Sequence, residues 1–154
     1  MKTDLLIIGS GPGGYRAAGY AARNGLSVVV AERDQAGGTC LNAGCIPTKC
    51  LAHDASAAPS DFASAMERKA LVTQQLRTGV EQLLSAPGIT LVKGQAAFTD
   101  EHTVTIGDTT VEADNIIIAT GSESRMPSIT GIDNPRVITS TEALQLQSLP
   151  ETMV

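Results

Sequence analysis

Tryptophan is absent from this chain, and aromatic residues of every kind make up 3% of it. A core must therefore be built from Val, Ile, Leu and Ala. Long apolar runs are missing as well. The longest, near residues 5–8, 28–31 and 116–119, fall far short of the roughly 20 residues that a membrane helix needs. The eleven Lys and Arg residues are scattered, with no basic run to serve as an anchor or address. Met1-Lys2-Thr3-Asp4 passes straight into a strand-like run. No charged n-region, long h-region or cleavage site marks a signal peptide, so a cytoplasmic location is expected. The formal net charge of -5 would repel a phosphate backbone, which argues against nucleic acid as a partner. Cysteine is scarce: only Cys40, Cys45 and Cys50 occur, close together. A secreted disulfide scaffold would spread its cysteines to staple distant segments, so the clustering points to local chemistry.

What remains is 154 residues, 42% hydrophobic, with a mean hydropathy of +0.06. That is enough for one soluble domain with a single sizeable core. Residues 4–8 read as a short apolar strand and 9–14 as a glycine turn. Residues 15–24 read as an Ala-rich helix stopped by Gly25, and 27–31 as a second apolar strand ending at Glu32. Strand, helix and strand in so short a span make a βαβ unit and imply a parallel, buried sheet. The cysteine segment reads as a loop passing into a helix. Phe62, Met66, Ala70, Leu76, Val80 and Leu83 follow a period near 3.6 and predict an amphipathic helix over 60–86. Ser60 is its candidate cap, and Pro87-Gly88 its stop. Residues 89–92 read as another strand. Around Gly107-Asp108 the alternation of Val104 and Ile106, then Val111 and Ala113, predicts a small antiparallel hairpin or meander. Ile116-Ile117-Ile118 reads as a third buried strand running into Ala119-Thr120-Gly121, and 140–146 as one short helix. The expected fold class is α/β: a Rossmann-like domain with a central parallel sheet, helices on its face and a small antiparallel β meander.

Gly9-Ser10-Gly11-Pro12-Gly13-Gly14 fits the G-x-G-x-x-G spacing. Gly9 permits the tight exit from the strand. Gly11 lets backbone approach a pyrophosphate, and Gly14 lets the helix pack close to the strand. The helix N-terminus offers unpaired N–H groups and the positive end of a dipole to the anion. Glu32, ending the next strand, can accept hydrogen bonds from a ribose diol and would repel a 2′-phosphate. Outside that context the same residues are a glycine-rich turn and a solvated glutamate.

Two thiols spaced like Cys40 and Cys45 can form a disulfide if the loop brings their Cα atoms within about 7 Å. Gly44 and a helix start supply that freedom, and a thiolate near a helix N-terminus suits thiol–disulfide exchange. Two other readings stand beside this one. A zinc site would need more ligands, and His53 and His102 form no second pair at familiar spacing, so no metal is expected. A purely structural disulfide would be unusual in a cytoplasmic chain.

Gly37-Gly38-Thr39-Cys40 through Cys45-Ile46-Pro47-Thr48-Lys49 resembles the active-site signature of the pyridine nucleotide–disulfide oxidoreductases. The wording Cys-Leu-Asn before Gly44, and Ile-Pro-Thr-Lys after Cys45, is most similar to the dihydrolipoamide dehydrogenase branch of that family. With Gly9–Gly14, Glu32 and Ala119-Thr120-Gly121, the resemblance covers nearly the whole chain. It implies FAD as cofactor, held by Gly9, Gly11, Gly13, Gly14, Glu32, Gly38, Thr39, Lys49, Thr120 and Gly121. It implies that Cys40 is the interchange thiol attacking the substrate disulfide and that Cys45 passes electrons to the flavin. For Lys49 the bland reading is a solvated surface lysine; for Thr120 and Gly121 it is a simple strand-to-loop turn. Cys50 departs from the pattern and reads as a buried spectator.

The resemblance also implies a longer parent chain that adds an NAD site, an acid–base pair and a dimer interface. Residues 1–154 then read as its N-terminal FAD-binding part, inactive alone. The parent would oxidise dihydrolipoamide and pass electrons through Cys40–Cys45 and FAD to NAD. It would work as a homodimer on a lipoamide-bearing protein or a small disulfide substrate. The alternatives are a disulfide reductase running the opposite way and a nucleotide-binding module without turnover.

Overall fold

A computed structural model describes residues 1–57 and 61–154. In chain order it holds β1 (Lys2–Ile8), α1 (Pro12–Arg23), β2 (Val28–Glu32), α2 (Gly38–Asn42), α3 (Cys45–Ala57) and α4 (Phe62–Leu84). There follow β3 (Ile89–Lys93), β4 (Ala96–Phe98), β5 (Thr103–Ile106), β6 (Thr109–Ile118) and α5 (Ser140–Ala143). The six strands form one sheet in the order β3-β2-β1-β6-β5-β4. The β3-β2-β1-β6 half is parallel and the β6-β5-β4 half antiparallel.

Leu5–Ile8 of β1 and Val28–Ala31 of β2 are unbroken apolar runs, as suits strands whose two faces are both covered. On one face Leu5, Ile7, Val28 and Val30 pack against Ala18 and Ala21 of α1 and Leu84 of α4. On the other, Leu6, Val29 and Ala31 share a cluster with Val104, Ile106, Val111 and Ala113 of the meander. The expected α/β architecture is therefore present, with helices closing one face and the meander the other. Leu6, Ile7 and Leu84 are at most 1% exposed, and each such burial stabilises the fold by roughly 1.5–3 kcal/mol. α1 presses onto β1 so closely that a Cβ on Gly14 would stand 1.9 Å from the Gly9 carbonyl oxygen.

Three expectations need correction. The long helix is α4, capped by Asp61, whose Oδ1 accepts from the Ser64 N–H at 2.9 Å; Ser60 lies outside the described residues. Its buried side chains are Ala65, Thr73 and Leu84, whereas Leu76 is 43% exposed and Ala70 is exposed. α4 leans on α3, α2 and α1 in turn, so its buried stripe is not one straight face. The runs at 111–113 and 116–118 are a single strand, β6, rather than a hairpin arm and a separate buried strand. Its residues 109–112 pair with β5 and its residues 112–118 with β1. Beyond Glu112 only β1 flanks it among the described residues, which leaves Ile118 66% exposed. The short helix α5 stops at Ala143. No helix among the described residues is long and apolar enough to cross a membrane.

Candidate functional site

Parallel strands end at one edge of the sheet, and the loops that leave them there converge. β1 leads into Gly9-Ser10-Gly11, β2 ends on Glu32, and β6 leads into Ala119-Thr120-Gly121. Together with Gly38, Thr39 and Cys40 these enclose a cleft of about 580 Å³. Gly9 turns out of β1 at φ 102, with Ala119 O only 2.4 Å from where a Cβ would stand. A side chain at Gly9 would push the β1 and β6 exits apart.

The floor of the cleft is a cradle for an anion. α1 begins with Gly11 as N-cap, no capping side chain and no acidic residue in its first turn, so its leading N–H groups have no side-chain acceptor. A Cβ on Gly11 would meet only Gly38 Cα at 3.8 Å, and one on Gly13 only the Ala119 side chain at 4.0 Å. Both residues leave room for a ligand. Gly14 lies beneath the cleft and serves the packing of α1.

Glu32 is 8% exposed and is not a solvated glutamate. Its Oε2 accepts from the Ser10 N–H at 2.9 Å and the Ser10 hydroxyl at 2.5 Å; its Oε1 accepts from the Asp34 N–H at 2.8 Å. Burial pushes its carboxyl pKa up. The Ser10 hydroxyl, the two N–H groups and the Lys93 charge outweigh that and hold it below the ordinary value. Oε1, with one protein donor, keeps a lone pair for a ligand hydroxyl.

The cysteine segment is two helices. α2 carries Cys40, and α3 starts at Cys45; Gly44 lies between them with its Cα so close to Thr39 O that a Cβ would stand at 2.9 Å. That approach sets the two free thiols close enough for Cys45 to act on Cys40. Cys40 lines the cleft; Cys45 is exposed and outside its lining. The hydrogen bond to Cys45 raises the Cys40 pKa, and burial and the Cys45 charge add to the rise. The Cys45 N–H at the start of α3 and the Lys49 ammonium work against it without prevailing. In the reduced pair Cys40 thus favours its protonated thiol.

Of the expected site residues, Gly9, Gly11, Gly13, Glu32, Gly38, Thr39, Cys40, Thr120 and Gly121 line one cleft. Lys49 stands outside its lining on α3, exposed, within electrostatic reach of Cys40. Cys50 is buried, and the His53 side chain is 70% exposed beside Asp54. Among the described residues no group of three or more His, Cys, Asp or Glu converges on a metal position. Sequence reasoning missed three residues. Ser10 sits at an interchangeable position of the glycine motif and is fully buried against Glu32. Asn42 donates from its side chain to Ala36 O and Gly38 O and accepts from Arg77 of α4. A small polar residue inside the glycine turn was a faint signal for Ser10; nothing in the helical periodicity singles out Arg77.

A family profile described as pyridine nucleotide-disulphide oxidoreductase matches residues 3–154. The dihydrolipoyl dehydrogenase of Haloferax volcanii is 42% identical over 176 residues, which cover 99% of this chain and 37% of that protein. The dihydrolipoyl dehydrogenase of Pseudomonas aeruginosa is 38% identical, over 100% of this chain and 38% of its own. The chain spans little more than a third of the length of these curated relatives. Among solved structures, the HOCl-induced flavoprotein disulfide reductase RclA from Escherichia coli superposes with a TM-score of 0.91 at 38% identity, covering 96% of this chain and 35% of that one. Its Cu(II) complex gives a TM-score of 0.92 at 37% identity, covering 97% and 36%.

Proposed function

The chain belongs to the pyridine nucleotide-disulphide oxidoreductase family, and from that premise we propose that residues 1–154 are the FAD-binding, redox-disulfide part of a dihydrolipoamide dehydrogenase. The observation that carries this is the placement of Cys40, with Cys45 close to it, in the wall of a cleft floored by the glycine loop.

Each cleft residue has work to do in that reading. The Gly9–Gly14 turn and the opening of α1 take the diphosphate on main-chain N–H groups. Glu32 accepts from the adenosine ribose through the free lone pair of Oε1. Gly38 and Thr39 form one wall, Thr120 and Gly121 the other, and Lys49 supplies positive charge on the cysteine side. When bound, FAD supplies a two-electron acceptor for the reduced cysteine pair. In the oxidised protein, a substrate thiolate attacks the disulfide sulfur of Cys40 and forms a mixed disulfide, and Cys45 leaves. The second substrate thiol then displaces Cys40. Substrate dithiol becomes substrate disulfide, and the Cys40–Cys45 disulfide becomes two thiols. NAD is the eventual electron acceptor, the working parent is a cytoplasmic homodimer, and the dithiol is lipoamide on a carrier protein or as a small molecule.

The likeness to RclA favours a second reading, in which electrons run outward from a nicotinamide through the same cysteines to a disulfide. Titrating the purified chain with FAD tests the flavin assignment, and adding dihydrolipoamide or NADPH to the longer parent, which would carry the nicotinamide site, separates the two readings. Reduction of the parent's flavin with dihydrolipoamide but not NADPH supports the dehydrogenase. Reduction with NADPH but not dihydrolipoamide supports the reductase. A chain that retains no flavin at saturating FAD overturns the flavin assignment.

A further inference from the structure

α2 has five residues, too short to hold a helical shape in water by itself. Its entry costs conformational entropy, because Gly37 and Gly38, held at φ 101 and φ 61, lose more freedom on ordering than any other residue type would. Yet α2 carries Cys40 and forms the Gly38 wall of the cleft, so something outside the segment must hold it. At its start, Gly37 N–H donates to Ser10 O at 3.0 Å, and Gly38 lies against Gly11, with a notional Cβ 2.7 Å from Gly11 Cα.

At its end stands Asn42. One side-chain amide nitrogen donates to Ala36 O at 3.0 Å and to Gly38 O at 3.1 Å, clasping the double-glycine turn from both sides. The other end of the same amide, Oδ1, accepts from Arg77 Nε at 2.9 Å. A bond from a guanidinium is charge-assisted, stronger than a neutral one. It also polarises the amide so that its N–H groups donate more strongly. Asn42 lines both the main cleft and a second one of about 320 Å³; Arg77 lines only the second. Arg77 therefore lies outside the lining of the main cleft.

We propose that Arg77 is a positioning residue: through the Asn42 amide it sets the orientation of α2, and with it the seat of Cys40 beside Cys45 and of Gly38 over the glycine loop. The proposal rests on the reading of Cys40 as the exchange thiol. Arg77 reaches the chemistry only by way of Asn42, so the two residues act as a unit. Loss of Asn42 removes the clasp itself and loss of Arg77 only its anchor; once Asn42 is gone, loss of Arg77 removes nothing further.

The test uses the purified 154-residue chain as wild type, Arg77→Met, Arg77→Lys, Asn42→Ala and the double variant Arg77→Met/Asn42→Ala. The Cys40–Cys45 equilibrium against reduced and oxidised glutathione is measured for each, with the pH profile of Cys40 alkylation followed by peptide mass spectrometry. Arg77→Met should shift the glutathione equilibrium constant by about tenfold and Asn42→Ala by at least as much, with the double variant matching Asn42→Ala. Arg77→Lys, which keeps a charged donor, should recover part of the shift. An unchanged Arg77→Met, or a double variant equal to the product of the singles, overturns the proposal. If Arg77→Met loses its circular dichroism signal, Arg77→Lys alone and combined with Asn42→Ala carries the same test. Wild type that retains no FAD would overturn the flavin reading while leaving the glutathione readout interpretable.

Discussion

Ser10 gives both its donors to one oxygen of Glu32: its backbone N–H at 2.9 Å and its hydroxyl at 2.5 Å end on Oε2. The pair links the glycine turn after β1 to the last residue of β2. The diphosphate cradle and the ribose acceptor are thus held in one register. Ser10→Ala removes the hydroxyl at a fully buried position and leaves a buried carboxylate short of a donor. A stability loss of about 1–3 kcal/mol is expected, read from urea midpoints, along with weaker FAD binding by fluorescence titration. An unchanged midpoint would show that the hydroxyl contributes nothing to holding Glu32.

The same carboxylate gives a pH dependence with a definite sign. Its folded pKa is lowered, so the folded protein prefers it ionised. The stability this contributes is fully present above the unfolded glutamate value of about 4.3 and fades as pH falls through the lower folded value. Exposed carboxylates such as Asp4 and Asp61 are also lowered and act in the same direction. Glu32→Gln isolates the contribution: urea midpoints from pH 7 to 3 should fall less steeply in the variant than in wild type. Parallel curves would refute the assignment.

Gly14 and Gly11 should respond differently to alanine. At Gly14 the added methyl meets the Gly9 carbonyl oxygen at 1.9 Å, so α1 must lift off β1. A loss of about 1–3 kcal/mol is expected from such overpacking, or failure to accumulate as folded protein. At Gly11 the nearest protein atom lies 3.8 Å away, so the fold should keep its urea midpoint while the methyl occupies ligand space. FAD affinity should then fall by more than about tenfold, a little over 1.4 kcal/mol. Equal effects of the two substitutions on folding would contradict the division of labour between them.

Reduced Cys40 should titrate above the ordinary thiol value of about 8.5, because it donates to Cys45 and is partly shielded from water. Cys45→Ala removes both the thiol acceptor and its charge, leaving the α3 N–H and Lys49 to favour the thiolate. Iodoacetamide labelling of Cys40 across pH should move its midpoint downward in the variant. A midpoint that stays put or rises would mean that the Cys45 side chain is not the dominant neighbour.

Much of this site is legible in the sequence because backbone chemistry forces it. A strand exit against Ala119 O, a helix packed onto its own strand and a main-chain cradle each demand glycine, so Gly9, Gly14 and Gly11 announce themselves. Glu32 is found because it ends an apolar run. Ser10, Asn42 and Arg77 escape because their roles depend on partners far along the chain: Arg77 lies 35 residues beyond Asn42, with no periodicity or spacing joining them. The buried stripe of α4 is misread for a related cause. Periodicity assumes one flat neighbour, and α4 has four, α1, α2, α3 and β3, so Leu76 looks inward in the pattern and outward in the structure. The two halves of β6 look like separate strands because Val111 and Ala113 alternate with polar residues over the meander, while Ile116–Ile118 run unbroken beside β1.

β6 also dictates the order in which this protein can come together. Its parallel pairing with β1 joins Lys2 to Glu112 and Ile8 to Ile118, so one of the largest loop closures in the sheet occurs at its centre, and non-local pairing of that kind is slow. On the ribosome, β1, α1 and β2 emerge early and can assemble among themselves. The Thr120–Gly121 side of the cleft has no partner strand to stand on until synthesis has passed Ile118. A nascent chain arrested before Val104 carries the glycine loop and all three thiols with half the crevice missing and Leu6 and Val29 still uncovered.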